Sequence, residues 1–245
     1  MSRPGVNSAA ERQEAVDRIL ADPPVVHYMS VADVQAGTLS GVWSTDESCY
    51  RFLADCCRPG DRTLETGAGI STVLFAAWGT VHTCVAPGQV EIDAIVEYCS
   101  CREIPTDTLT FVAEPSDRGL PSLSEDPSPL DVVLIDGCHG FPAPMIDWYY
   151  GAGKLRRGGV VVIDDLHLPA VEVLDRFLTL DPRWKEISRS SAWVAFERQS
   201  EGPVAEDWLM QSFYRPASTR EILKERALAG LRNRVDQAKR QLSRR

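Results

Sequence analysis

Residues 63–71 read Thr63-Leu64-Glu65-Thr66-Gly67-Ala68-Gly69-Ile70-Ser71. A short strand ends near a carboxylate, passes through a loop with two glycines, and continues into the apolar run Thr72–Trp78, which suits a helix. Glycine in such a loop lets the backbone turn tightly, take positive φ and approach a ligand with no Cβ in the way. Dinucleotide-binding loops use the same device, but their third glycine would fall at Thr72. An acid placed before the glycines suits a ligand that presents a cation rather than a pyrophosphate. The plain alternative is a tight turn with no ligand, since strand–turn–helix junctions are common in α/β proteins.

The surroundings of this loop set the architecture. Ser8-x-x-Glu11 forms a capping-box pattern for a helix ending near Leu20, before Asp22-Pro23-Pro24. Residues 25–43 have a mixed pattern that suits a loop or short lid, and Thr45-Asp46-Glu47 opens a second helix through Phe52, Leu53 and Cys56. Strands then alternate with helices. Strands are expected at Thr63–Thr66, Val81–Ala86, Leu109–Ala113, Asp131–Asp136 and Val160–Asp164, with helices at Ser71–Trp78, Val90–Cys101, Pro142–Leu155 and 168–180. Pro121–Pro129 reads as a loop, and Lys185–Ser188 with Ala192–Glu197 reads as a closing hairpin. The series predicts an α/β fold, a doubly wound, mostly parallel seven-stranded sheet with an antiparallel edge. Three segments follow: an N-terminal helix and lid at 1–44, a core at 45–200 and a C-terminal extension at 201–245.

Composition narrows the function. With 245 residues, 44% of them hydrophobic, the chain can bury one substantial core. A net charge of −9 argues against nucleic acid as a general partner. The balance is uneven: from Thr219 to Arg245 there are nine Lys/Arg and three Asp/Glu. Leu228, Leu231, Val235, Ala238 and Leu242 recur there at spacings of three and four, and Ser218-x-x-Glu221 offers a cap. This basic amphipathic helix suits a homodimer or docking contact, an anionic membrane surface or acidic partner, or simple packing on its own domain, the last being favoured. Seven cysteines in spacings poor for zinc or a disulfide framework read as reduced thiols, and with no apolar run resembling a signal peptide or membrane span the expected location is cytoplasmic.

In a doubly wound sheet, ligands bind at the carboxyl ends of the strands near the switch in strand order. That rule gathers Glu65, Ala86, Asp136, Asp164 and Asp165. Asp136 precedes Asp164 and Asp165 by 28 and 29 residues, so neighbouring parallel strands would bring three carboxylates to one rim. Such a cluster repels itself unless protons or a cation intervene. A hard divalent ion with oxygen ligands, Mg²⁺ first, is the economical answer, and it would lower the pKa of a bound hydroxyl. The alternative is that these acids cap the following loop and helix. His139 and His167 stand three and two positions beyond Asp136 and Asp165, and each suits a proton acceptor near neutrality. His27 and His82 read as structural. Trp43 suits either a cover for substrate or packing within the lid.

The loop at Glu65-Thr66-Gly67-Ala68-Gly69 resembles motif I of the class I S-adenosylmethionine (SAM) methyltransferases. The acid spacing, with the adjacent pair Asp164-Asp165, resembles the metal-dependent O-methyltransferases of the catechol and macrocin/noviose types. The resemblance runs in order of elements from Thr45 to Glu197 and implies a Rossmann-like methyltransferase fold. It implies SAM bound by Glu65, Gly67, Ala68, Gly69, Thr72, Pro87, Ser116 and Asp136. It also implies a divalent cation, Mg²⁺ by preference, held by Asp136, Asp164 and Asp165, and transfer to the hydroxyl of a small molecule or sugar. The placement of His139 and His167, not the resemblance, makes them the candidate catalytic residues. Two positions depart from the pattern. Ala86 stands where most methyltransferases place an acid for the ribose hydroxyls, leaving that task to backbone, to water or to a neighbour such as Glu91, and Cys138 replaces an acid found in the noviose type. A histidine-based mechanism without metal, and an inactive methyltransferase-like binding subunit, are the competing readings. A branched residue at Gly67 is expected to block the cofactor while sparing the fold.

Overall fold

Two adjacent strands at the middle of the sheet set the position of the site. In the computed structural model, which describes residues 8–123, 128–204, 207 and 211, β1 (Arg62–Thr66) and β4 (Leu130–Ile135) run parallel with Thr63 opposite Val132 and Thr66 opposite Ile135. β4 is buried on both faces, as its nearly continuous apolar run requires, and β1 beside it is buried from Thr63 to Thr66 although it carries Thr63, Glu65 and Thr66. Val132 and Leu134 enter one hydrophobic cluster, and Val133 and Ile135 enter the other on the opposite face.

The seven strands take the order β3-β2-β1-β4-β5-β7-β6. On one side of β1 lie β2 (Val81–Val85) and β3 (Leu109–Val112); on the far side of β4 lie β5 (Leu155–Ile163), β7 (Val194–Arg198) and β6 (Trp184–Arg189). Strands β1 to β5 pair in parallel, whereas β5–β7 and β7–β6 are antiparallel. The chain therefore leaves β1 in one direction and returns through β4 in the other, which opens a crevice between the loops that follow these two strands. This is the doubly wound sheet with a terminal hairpin that the alternation of elements predicts.

Helices cover both faces. The capping box at Ser8 and Glu11 is formed and opens α1 (Ala9–Ala21). α2 (Val31–Ala36) is a short helix within the expected lid, started by Ser30 and stopped by Gly37 in the left-handed region. α3 (Glu47–Cys56) is capped by Asp46, whose side chain accepts from the Ser48 N–H at 2.8 Å. α4 (Ile70–Ala77) and α5 (Gln89–Cys101) follow β1 and β2, while α6 (Ser116–Ser122), α7 (Ala143–Gly151) and α8 (Pro169–Leu180) follow β3, β4 and β5. α1 belongs to the same core as α3 and α4: Ala15, Val16 and Ile19 pack in one cluster with Leu53, Ala54 and Trp78. The Arg12 guanidinium donates to the Ala54 carbonyl at 2.6 Å, and the Trp78 indole donates to the Arg12 carbonyl at 3.2 Å.

Two boundaries differ from expectation. The helix expected at Pro142–Leu155 stops at Gly151, where a side chain would press on Leu64 and Val133, and a 3₁₀ turn (Ala152–Lys154) leads directly into β5. Arg157-Gly158-Gly159 therefore lies inside a strand and not before one. The register slips between Leu130 and Val132, and Gly158 takes φ +76°, so the glycines serve a bulge. At the other boundary, Pro121 closes α6 instead of opening a loop. No helix among the described residues is long and apolar enough to cross a membrane. The basic helix and seam expected beyond Ser218 lie outside the described residues.

Candidate active site

The loop after β1 is fixed by backbone contacts that only glycine permits. Gly67 has φ +89°, and its Cα faces the Asp136 carbonyl so closely that an added Cβ would overlap that oxygen. Its N–H donates to the Val85 carbonyl at 3.0 Å, and the Asp136 N–H donates to the Thr66 carbonyl at 3.2 Å. The loops after β1, β2 and β4 are thereby tied together. A branched side chain at Gly67 would thus strain the junction of β1 and β4, contrary to the expectation that the fold is spared.

Glu65 and Thr72 stand beneath the loop and are not among the residues lining the cavity. Strand alternation puts Thr63 and Glu65 on the α4 face of the sheet, and Leu64 on the other. There the Thr72 hydroxyl accepts from the Gly69 N–H at 3.0 Å and donates to Glu65. His82, read as merely structural, faces the same carboxylate with Nε2 at 3.1 Å. Its Nδ1 is 2.8 Å from the Thr63 hydroxyl, and its ring stacks on Phe75 with centroids 4.3 Å apart. Glu65 thus supports the glycine loop from below through Oε1 and lies outside the cavity lining, with Oε2 left without a hydrogen-bond partner. The pairing of Thr63 with His82 across β1 and β2 is the signal that sequence patterning alone did not supply.

At the carboxyl ends of β4 and β5, Asp136, His139 and Asp165 present donor atoms that all lie within 4.8 Å of one another. His139 Nδ1 is 3.3 Å from Asp165 Oδ2, and Nε2 is 4.0 Å from Asp136 Oδ1. The set is not the expected trio of aspartates. Successive residues of a strand point to opposite sides, and Asp165 turns toward His139 by adopting φ +59°. Asp164 is left buried, still at the cavity wall, with Oδ1 lacking a partner. His167 stands outside the cavity lining, exposed, with Nδ1 3.7 Å from Asp165 Oδ1. Burial, reinforced by Asp164, Glu65 and Asp165, pushes the Asp136 carboxyl well above the usual range, and burial pushes Asp164 up as well.

Both groups open into one cavity of about 720 Å³. Its wall includes Gly67, Ala68, Gly69, Pro87 and Ser116 of the expected cofactor set, together with Asp136. The N-terminal segment contributes His27 and Trp43, whose rings stack at 5.8 Å. Trp43 and Phe141 are 64% and 76% exposed at this cavity, so two aromatic faces are available to an acceptor. Tyr50, from α3, also lines it; its hydroxyl accepts from the Thr45 N–H at 3.3 Å, and burial followed by the Asp136 charge raises its pKa. Tyr50 lay next to the apolar helix positions Cys49 and Leu53, where nothing in the periodicity separates a core aromatic from a cavity one.

A protein-family profile described as a methyltransferase domain matches residues 64–166, from β1 to just beyond β5. Solved structures share the fold. An rRNA methylase from Streptococcus thermophilus is 14% identical, covering 66% of this chain and 100% of its own at a TM-score of 0.51. Cofactor-bound Rv0187 from MTB is 18% identical, with coverage of 78% and 89% and a TM-score of 0.52. A Corynebacterium glutamicum protein is 14% identical, with coverage of 77% and 91% and a TM-score of 0.54. No curated protein matches the chain by sequence. The profile thus marks residues 64–166 as similar to a methyltransferase domain, and the solved structures share the fold.

Proposed function

We propose that the chain is a SAM-dependent O-methyltransferase acting on a hydroxyl of a small molecule or sugar. The observation that carries this reading is that the glycine loop after β1 and the Asp136–His139–Asp165 group share one cavity. SAM supplies a methyl group already activated on a sulfonium, so the chain's task is mainly to position two partners and to remove one proton. Gly67, Ala68 and Gly69 offer a loop that a ligand can approach closely, while Pro87 and Ser116 border the β2 and β3 side. Trp43 and Phe141 flank the acceptor.

The donor set fits a divalent cation. Two carboxylates and an imidazole converge, Asp136 is held toward its protonated form without a neutralising charge, and Asp164 keeps a buried oxygen unpaired beside them. Asp136 and Asp165 would hold the ion, with His139 or Asp164 completing the set. The imidazole widens the choice from Mg²⁺ to metals that accept nitrogen. When bound, the ion would lower the pKa of the acceptor hydroxyl.

A second reading needs no metal and is favoured by one distance. Asp165 Oδ2 lies 3.3 Å from His139 Nδ1, which orients the ring, and Nε2, 4.0 Å from Asp136 Oδ1 and without a hydrogen bond, is placed to take the proton. The acidic chain is a poor match to nucleic acid, so the acceptor is read as a small molecule or glycan unit. Seven free cysteines accord with a cytoplasmic setting. Calorimetry with SAM and S-adenosylhomocysteine tests the reading first, with heat expected from both. Absence of heat would instead favour a methyltransferase-like binding subunit. Transfer of labelled methyl to a cell extract, with and without EDTA, then separates the metal mechanism from the histidine one.

A further inference from the structure

The carboxyl end of β2 offers a ligand no polar side chain. Val85 and Ala86 are each 2% exposed, and Pro87 and Gly88 follow. A carboxylate reaches this place from elsewhere. Glu91, in the first turn of α5, folds back over Gly88 so closely that a Cβ there would overlap its Oε2. Glu91 also lines the cavity. Its Oε1 is 3.7 Å from Nδ1 of His27, and the two side chains are 23% and 16% exposed. The same imidazole rests against the glycine loop, 3.3 Å from where a Cβ on Gly69 would stand, and stacks on Trp43. A continuous wall thus runs from Gly69 through His27 and Glu91 to Gly88.

Strand order gives this wall a meaning. Asp136 and Asp165 follow β4 and β5, on one side of the glycine loop; Glu91 follows β2, on the other. A methyl donor that points its sulfonium toward Asp136 and His139 must extend its nucleoside across the loop toward β2. The sulfur of SAM is bonded to C5′ of the ribose, so the vicinal hydroxyls are the first hydrogen-bond donors on that path. A carboxylate has two acceptor oxygens and no donor, which suits two adjacent hydroxyls.

We infer that Glu91 accepts the ribose hydroxyls of the cofactor and that His27 is the positioning residue that holds its carboxylate. The assignment rests on the methyltransferase reading above. It gives the N-terminal segment a part in cofactor binding, and it explains how the chain manages with alanine at position 86.

The test is a calorimetric cycle on the full chain with two probes, S-adenosylhomocysteine and its 2′,3′-dideoxy analogue. Glu91→Gln keeps the size of the side chain and its place in the first turn of α5, so melting should not shift. It should weaken S-adenosylhomocysteine about tenfold and the dideoxy analogue hardly at all. Glu91→Ala should give a larger loss with the same selectivity. His27→Ala should show that selectivity too, and combining it with Glu91→Gln should add little. Equal losses for both probes, or undiminished affinity in the glutamine and alanine variants, would overturn the inference while leaving the methyltransferase reading intact. Failure of the unaltered chain to bind either probe would strike at that reading instead.

Discussion

Asp147 is a buried acid that the proposed chemistry does not use. It lies on α7 at 1% exposure, receives a hydrogen bond from the Thr66 hydroxyl at 2.8 Å, and keeps Oδ1 without a partner. Burial pushes its carboxyl up to about 6, against the pull of the nearby Ser116 and Thr66 hydroxyls. The native state therefore binds this proton more tightly than the unfolded chain does. The contribution is complete below about pH 4 and is lost as pH rises through about 6. Asp147→Asn should remove that slope and raise stability at pH 7 by up to about 3 kcal/mol, measured by urea unfolding at pH 4.5 and 7 against the parent chain. A slope unchanged by the substitution would assign the titration elsewhere. Among the clustered acids, Asp136→Ala should abolish both activity and any stabilisation by Mg²⁺ or Mn²⁺ in a melting assay. The parent chain should gain about 2.7 kcal/mol at a metal concentration a hundredfold above its dissociation constant. A parent chain that melts identically with metal and with EDTA, and turns over in both, would leave His139 as the base without an ion.

Elements show where a residue pattern becomes packing. α1 is integral to the core, since Ile19 is 1% exposed among residues of α3 and α4. Ile19→Ala should cost about 2–5 kcal/mol, and a denaturation midpoint unmoved by the change would make α1 an appendage. Much of this level was legible beforehand. The apolar run of β4, the glycine loop of β1 and the Ser8–Glu11 box each carry a local physical cause, and each formed as read. What stayed hidden depended on partners distant in sequence. Gly158 and Gly159 fall outside the strand expected from Val160 because a bulge is visible only once β5 pairs with β4. Asp164 and Asp165 read as equal ligands because the positive φ that separates them is a property of the folded turn. Glu65 read as a ligand contact because the Thr72 and His82 groups that occupy it come from α4 and β2.

For the whole molecule, charge is the coarse variable. The last 27 residues carry a net +6 and the remainder −15, a polarity that suits self-association or docking through the tail. If the seam at 228–242 joins two copies, removing residues 219–245 should lower the mass found by light scattering and leave the melting temperature in place. An unchanged mass would exclude that role, and a lowered melting temperature at constant mass would mark a helix packed on its own domain.

The strand that closes the sheet carries a consequence for handling the protein at high concentration. β6 presents Lys185, Glu186 and Arg189 along its length, slips register between Glu186 and Ser188, and is braced by Arg189, which reaches Asp175 at 2.7 Å and Glu186 at 2.8 Å. A charged, kinked border is a poor template for a strand from another molecule. Prolonged storage should accordingly yield no dye-binding fibrils seeded from this edge, and replacing Lys185 and Glu186 by valine should create them.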